Sequence, residues 1–336
     1  MTELYEDRGH VPFGPAAGAI NGCIEEEMEA KIIDVARSYG RRKIKGGSTS
    51  WAGGLGNSGR TYHHNEITGI TVNAMGLPNI GHPRAKKFQK KMQPVVEEYG
   101  MSLVPSFSPG VGEDPFTVLP DMAYGFVEAG ATEIEVNLSC PNKLEEGGKA
   151  VEPVLGHDLD ASFEIAEKVL ETVGPGITVD FKEPPMLGEK KVLIEDVADR
   201  FIMLGGVFVK NKIIVVPFNT IGNQSVLDEW GEPALSVGEK GINVGGASGV
   251  AFAKMARAGL AKFRTSLPPE TGITSSVGAA DGAEVYLRVD EMGADDAEGV
   301  TIFWENERKG ISFGETITRV AEQYFEIKVR HEEQSP

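Results

Sequence analysis

Strand-like and helix-like segments alternate from one end of this chain to the other, and nothing else in it restricts the architecture as strongly. Short apolar or β-branched runs at 12–17, 43–48, 101–106, 131–137, 176–182, 213–218, 242–246 and 270–275 predict strands. Apolar residues at helical spacing predict helices near 25–39, 83–99, 114–129, 158–173, 191–204, 250–264 and 279–291. A last short strand near 298–303 precedes a helix at 313–325. Glu25, Glu26 and Glu27 stand where acidic side chains complement a helix N-terminus. Gly40, Gly100, Gly130 and Gly174 follow their helices as C-cap residues do. Eight strand–helix units without a linker predict one domain over 1–336, a (β/α)₈ TIM barrel with its core at about 11–325.

A doubly wound nucleotide-binding sheet is the competing architecture. It needs a Gly-x-Gly-x-x-Gly turn straight after the first strand. The glycine-rich stretch from Gly53 to Gly59 instead lies inside a long loop after Trp51. Residues 49–72 exceed an ordinary connection and are expected to form part of a site rim. The formal charge of −17 opposes binding to nucleic acid or to an anionic membrane surface. No apolar stretch reaches the roughly 20 residues that span a bilayer, and the N-terminus lacks a signal-peptide pattern. Only Cys23 and Cys140 are present, so no disulfide scaffold is indicated. The expected setting is the cytoplasm. Cys23 reads as a buried packing residue. His63 and His64, adjacent on a strand, would face opposite ways and make a poor metal pair, so no metal site is expected.

Residues 133–142 read Glu-Ile-Glu-Val-Asn-Leu-Ser-Cys-Pro-Asn. An alternating strand here delivers two carboxamides and a thiol to its C-terminal tip, where Pro141 ends the ladder. Asn137 and Asn142 can each donate and accept hydrogen bonds, as the imide edges of a flat heterocycle require. Cys140 is suited to act as a base or nucleophile when its thiolate is favoured, or else simply to pack.

The segment from Asn137 to Asn142 resembles the active-site segment of the dihydroorotate dehydrogenases, flavin enzymes of pyrimidine synthesis. Other segments match in the same order. The run from Asn73 to Asn79 (Asn-Ala-Met-Gly-Leu-Pro-Asn) is similar to that family's substrate loop, and Phe181-Lys182-Glu183-Pro184-Pro185 to its flavin-lysine strand. The run from Phe218 to Asn223 resembles its second asparagine motif, with Thr220 where serine is usual. Pro12 to Gly18 is like its opening strand, with Ala17 in place of a common serine. The likeness covers about 11–325 and is strongest between 73 and 223. The motif residues Ala17, Asn137, Lys182, Asn219, Gly245 and Ser275 fall at predicted strand ends, where barrels carry their chemistry.

The resemblance implies oxidation of dihydroorotate to orotate with FMN as cofactor. Cys140 would take the C5 proton, and Lys182 would stabilise charge on the flavin. Asn73, Asn137, Asn142, Asn219 and Thr220 would grip the substrate, with backbone N–H groups of Met75, Gly76 and Leu77. FMN would contact Ala17, Gly46, Gly47, Asn137, Lys182 and Phe218. Its phosphate would lie among Gly249, Ser275, Ser276, Val300 and Thr301. Residues 143–157 would form a lid over Cys140, with Gly147 and Gly148 as pivots.

Two departures stand out. Gly46 occupies the place of the family's strand-two lysine, so Lys45 can replace that lysine only through a one-residue bulge. Thr274-Ser275-Ser276 replaces a Thr-Gly-Gly run at the phosphate loop, and Val300 replaces a glycine. The resemblance is to the soluble class 1 enzymes, most like 1A, which implies a homodimer using fumarate. An iron–sulfur route would need a second subunit. An FMN oxidoreductase of another dihydropyrimidine, or a degenerate ligand-binding barrel, are the alternatives.

Overall fold

A computed structural model of the protein describes residues 11–20, 22–38, 43–140, 154–186 and 192–334. Its strands are β1 (Phe13–Pro15), β2 (Lys43–Thr49), β3 (Gly59–Arg60), β4 (Tyr62–Asn65), β5 (Ile70–Asn73), β6 (Ser102–Phe107) and β7 (Glu133–Asn137), followed by β8 (Thr178–Lys182), β9 (Lys212–Val216), β10 (Ile221–Ser225), β11 (Ser236–Val237), β12 (Val244–Ser248), β13 (Gly272–Ser275) and β14 (Asp296–Gly299). Its helices are α1 (Glu25–Arg37), α2 (His82–Glu97), α3 (Pro115–Glu128), α4 (Leu159–Val173), α5 (Ile194–Val207), α6 (Ala253–Ser266), α7 (Gly282–Tyr286), α8 (Thr301–Arg308) and α9 (Phe313–Gln334). Among the described residues no helix is long and apolar enough to cross a membrane.

Eight parallel strands in the order β1-β14-β13-β9-β8-β7-β6-β2 form a (β/α)₈ barrel. The Gly47 N–H donates to Ile20 O at 2.7 Å, which ties β2 to the chain leaving β1. One expected strand does not enter the barrel. The segment expected at 242–246 becomes β12, which pairs antiparallel with β5 and β10 in a separate four-stranded sheet. Its glycines explain the departure. A Cβ on Gly245 would stand 2.4 Å from Asn73 O, so only a bare backbone lets β5 approach so closely. The seventh and eighth barrel strands are therefore β13 and β14, and much of the stretch expected as a strand at 298–303 starts α8.

Period-two alternation is present in the barrel strands, but it does not separate core from solvent. Ile134, Val136, Val179, Phe181, Ile213 and Val215 face outward into a core shared with Leu119, Met122, Phe126, Val169 and Phe201 of the helices. The other face of several strands is charged and meets inside the barrel. Lys45 Nζ lies 2.6 Å from Glu135, 2.9 Å from Asp180 and 2.9 Å from Glu298, all four side chains fully buried. They come from β2, β7, β8 and β14, so they can meet only in the lumen. The Asp180 contact is one of charge alone, because neither of its carboxylate oxygens is aligned for a hydrogen bond. One layer down, Lys43 contacts Glu133 at 2.5 Å and Asp180 at 3.8 Å.

Desolvation works against every charge in this column, yet the three carboxylates hold the Lys45 ammonium well above its ordinary pKa. Burial and the neighbouring Asp180 push Glu133 up to about 7. Burial also opposes ionisation of Glu298, but Lys45 and Lys182 outweigh it and keep that carboxyl low.

Candidate functional site

The strand tips open into a cavity of about 330 Å³, in the range of small-molecule sites. Asn137 and Lys182 reach its floor as the last residues of β7 and β8. Cys140 follows three residues after Asn137 and is partly exposed to the cavity. Asn73 enters from the end of β5, Met75, Gly76 and Leu77 from the loop beyond it, and Asn219 and Thr220 from the chain leaving β9. Ala17, Gly249, Ser276, Val300 and Thr301 complete the predicted residues in the lining.

Hydrogen bonds pre-set the two central carboxamides. Asn137 Nδ2 donates to Ser48 Oγ at 3.0 Å, and Asn137 Oδ1 accepts from Ser139 N and Oγ at 3.1 and 2.9 Å. Asn219 Nδ2 donates to the same Ser139 hydroxyl at 2.7 Å. Ser139 thus fixes both amides at once, leaving one Asn137 N–H and the Asn219 carbonyl for a ligand. Lys182 Nζ sits 3.5 Å from Glu298 and is 2% exposed.

Four predicted contacts lie elsewhere. Gly46 and Gly47 face the opposite side of β2, toward Ile32 and Phe88 beneath α1 and α2. Phe218 is buried against Ala256 and Val277, one layer behind the wall. Ser275 is buried and accepts from Arg288 Nη1 at 3.1 Å. Asn142 and most of the expected lid at 143–157 fall outside the described residues. The bulge that Lys45 would need is present, since the β2–β6 register shifts between Lys45 and Ser48. Lys45 nonetheless points into the lumen, where three carboxylates hold it. Among the described residues, Lys182 is the only lysine or arginine lining the cavity. Cys23 also departs from expectation: it is only half-buried, and its thiol donates to Gly54 O at 3.3 Å.

The loop at 49–72 does reach the rim. Its β4–β5 hairpin brings His64, Glu66 and Thr71 to the cavity opposite Trp304 and Glu305 of α8. His64 Nδ1 lies 2.9 Å from Thr71 Oγ1, which also accepts from Thr301 Oγ1 at 3.1 Å. Tyr62 OH donates to Glu305 at 2.8 Å, and burial with this bond raises its pKa. Sequence reasoning did not assign Ser48, Ser139, Glu298 or Glu305. Ser139 alone carried a signal, by lying between Asn137 and Cys140.

Glu183, next to Lys182, has a carboxylate oxygen 2.8 Å from where a Gly156 side chain would begin. Burial pushes it up to about 8, against an ordinary value of about 4.3. The folded state then holds this proton more tightly than the unfolded chain. Its effect on stability therefore worsens as pH rises from the ordinary carboxylate range to about 8 and is constant beyond. Glu183→Gln is expected to raise the melting midpoint at pH 8 and leave it nearly unchanged at pH 4. Equal gains at both pH values would contradict this.

What the fold and site define is a (β/α)₈ barrel with an amide- and thiol-lined cavity at the C-terminal strand ends. No family model matches the chain, and no curated protein matches its sequence. Among solved structures it is similar to a ligand-free DHODH from Eimeria tenella, with a TM-score of 0.71 and 18% identity over 95% of this chain and 85% of that one. At that identity the likeness establishes the shared fold.

Proposed function

We propose that this chain is an FMN-dependent oxidoreductase that converts dihydroorotate to orotate. The observation that carries the reading is the convergence of Asn73, Asn137, Asn219, Cys140 and Lys182, from separate parts of the chain, on one cavity. Its fold is shared with a DHODH, which supports the same assignment.

The residues present suit FMN. At one end, Lys182 offers a cation to the pyrimidine edge of a flavin. At the other, α8 begins at the cavity with no side-chain cap, and Thr301 and Ile302 belong to the lining. The Phe303 N–H donates to Val300 O, and the N–H groups of Thr301 and Ile302 before it are placed to favour an anion such as phosphate. Gly249 and Gly278 line the same cavity at φ 98° and 78°. A Cβ on either would fall within 3 Å of backbone at Gly69 or Ala253, so the wall closes in only because side chains are missing there.

FMN, when bound, supplies the acceptor for the hydride leaving C6. The chain itself supplies the rest. Asn137 and Asn219, held by Ser139, orient the ring, and Asn73 with the backbone of Met75 to Leu77 meets its far edge. The Cys140 thiolate takes the C5 proton, the role of a general base held beside the ring. Asn142 and the lid residues belong to the same reading. A cytoplasmic homodimer using fumarate completes it, and fumarate-driven turnover by the isolated chain would support that acceptor.

Purified protein is expected to be yellow, with about one flavin per chain. A colourless preparation that takes up no added FMN would refute the enzyme reading in favour of a ligand-binding barrel. A second substrate reading has its own support. With Lys45 turned into the lumen, the described residues give the cavity no second cation for the orotate carboxylate, which favours an uncharged dihydropyrimidine. Comparing dihydroorotate with dihydrouracil in anaerobic flavin reduction separates the two.

A further inference from the structure

We propose that Arg288 is a positioning residue that shapes the phosphate end of the cavity from behind, in place of the absent glycines. The inference rests on the FMN reading above. Arg288 is fully buried on a wide turn, Leu287–Glu291, closed by the Met292 N–H to Leu287 O bond at 3.0 Å. Such one-turn widenings re-aim side chains and cluster at functional sites. From there Nη1 donates to Ser275 Oγ at 3.1 Å and to Ser276 O at 2.9 Å, while Nε donates to Glu284 at 3.0 Å. Glu284 also pairs with Arg257, so two guanidinium groups share this carboxylate. Asp281, which caps α7 through the Glu284 N–H, is the other acid nearby. Arg288 Nη2 is buried without a partner.

The geometry of a peptide unit turns this contact into a prediction. In a trans peptide the C=O and the following N–H point in opposite directions. Drawing the Ser276 carbonyl back to Arg288 therefore directs the Val277 N–H away from Arg288, toward the cavity that Ser276, Val277 and Gly278 line. Val277 is held at φ 57°, a left-handed conformation that β-branched residues avoid. Strain of this kind persists where surrounding contacts enforce it. Arg288 supplies such a contact. Ser275 is accordingly an anchor for the arginine, and the ligand is met by the turn beyond it.

The test compares FMN with riboflavin, which has the same ring and lacks the phosphate, on flavin-free full-length protein. Loss of a hydrogen bond to a charged group predicts that Arg288→Met weakens FMN binding by roughly 10- to 100-fold, with riboflavin affinity nearly unchanged. Arg288→Lys is expected to restore part of the difference. Parallel losses for both flavins, or no loss for either, would overturn the positioning role. If Arg288→Met does not fold, Ser275→Ala removes one of the two anchor bonds outside the cavity, and the same selective loss is expected at smaller size. Wild-type protein that binds neither flavin would overturn the cofactor reading itself, a result distinct from failure of the Arg288 variants.

Discussion

Replacing Cys140 with alanine is expected to slow flavin reduction by about 10² to 10⁴, the usual contribution of a positioned base, while flavin and orotate binding survive. Binding should persist because the amide framework does not depend on the thiol. Ser139 holds Asn137 and Asn219 through its own hydrogen bonds. Cys140→Ser should keep a small activity that rises with pH, since a hydroxyl is a far weaker acid and its anion must be forced. Stopped-flow reduction is the measurement, so that slow product release does not mask the step. Reduction at the wild-type rate in Cys140→Ala would remove Cys140 from the chemistry and leave it a packing role.

The largest structural effect is expected at Lys45. Lys45→Met leaves Glu135, Asp180 and Glu298 facing one another in a closed lumen without their shared cation. Breaking a buried ion pair from one side typically costs about 3–5 kcal/mol. At roughly 2–4 °C per kcal/mol for a large domain, the melting midpoint should fall by about 10 °C. The loss should shrink at acid pH, because protonation removes the like-charge repulsion that the variant exposes. In the wild type the sign is opposite. Glu298, held low by its lysines, contributes stability above the ordinary carboxylate range and loses it as pH falls through its depressed value. A Lys45→Met variant equally destabilised at pH 5 and pH 8 would argue against this account of the column.

The strand–helix alternation and the chemistry at the tip of β7 were legible because each depends on neighbours in sequence. Asn137 and Cys140 lie three positions apart, and a strand ending there must present both. The lumen was not legible. Glu133, Ile134, Glu135 and Val136 alternate as they would in a strand with one wet face, and the pattern does not tell water from a closed lumen where carboxylates surround buried lysines. Lys45 shows the same limit, since its partners arrive from β7, β8 and β14. Gly245 was expected at a strand end that carries chemistry, but its missing side chain serves to admit β5. Of the stretch from Gly245 to Gly249, only Ser248 and Gly249 line the cavity. Arg288 carried no signal, because its direction is set by a wide turn that helical periodicity does not anticipate.

The lumen column also bears on how the chain reaches its fold. Lys45 is synthesised early, while Glu298 belongs to the final strand. An early assembly of β2, β6, β7 and β8 would already place Lys45 near Glu135 and Asp180, an acidic cluster short of its full geometry. Arrival of β14 adds Glu298, which touches both Lys45 and Lys182. Docking of the last strand thus does two things in one event: it nearly closes the ring and seats the lysine at the cavity floor. Contacts this distant in sequence make folding slow. A chain cut short before residue 296 should therefore be a sticky, partly formed barrel rather than a smaller working one. Completion of the barrel and the seating of Lys182 at the cavity floor would then be one event.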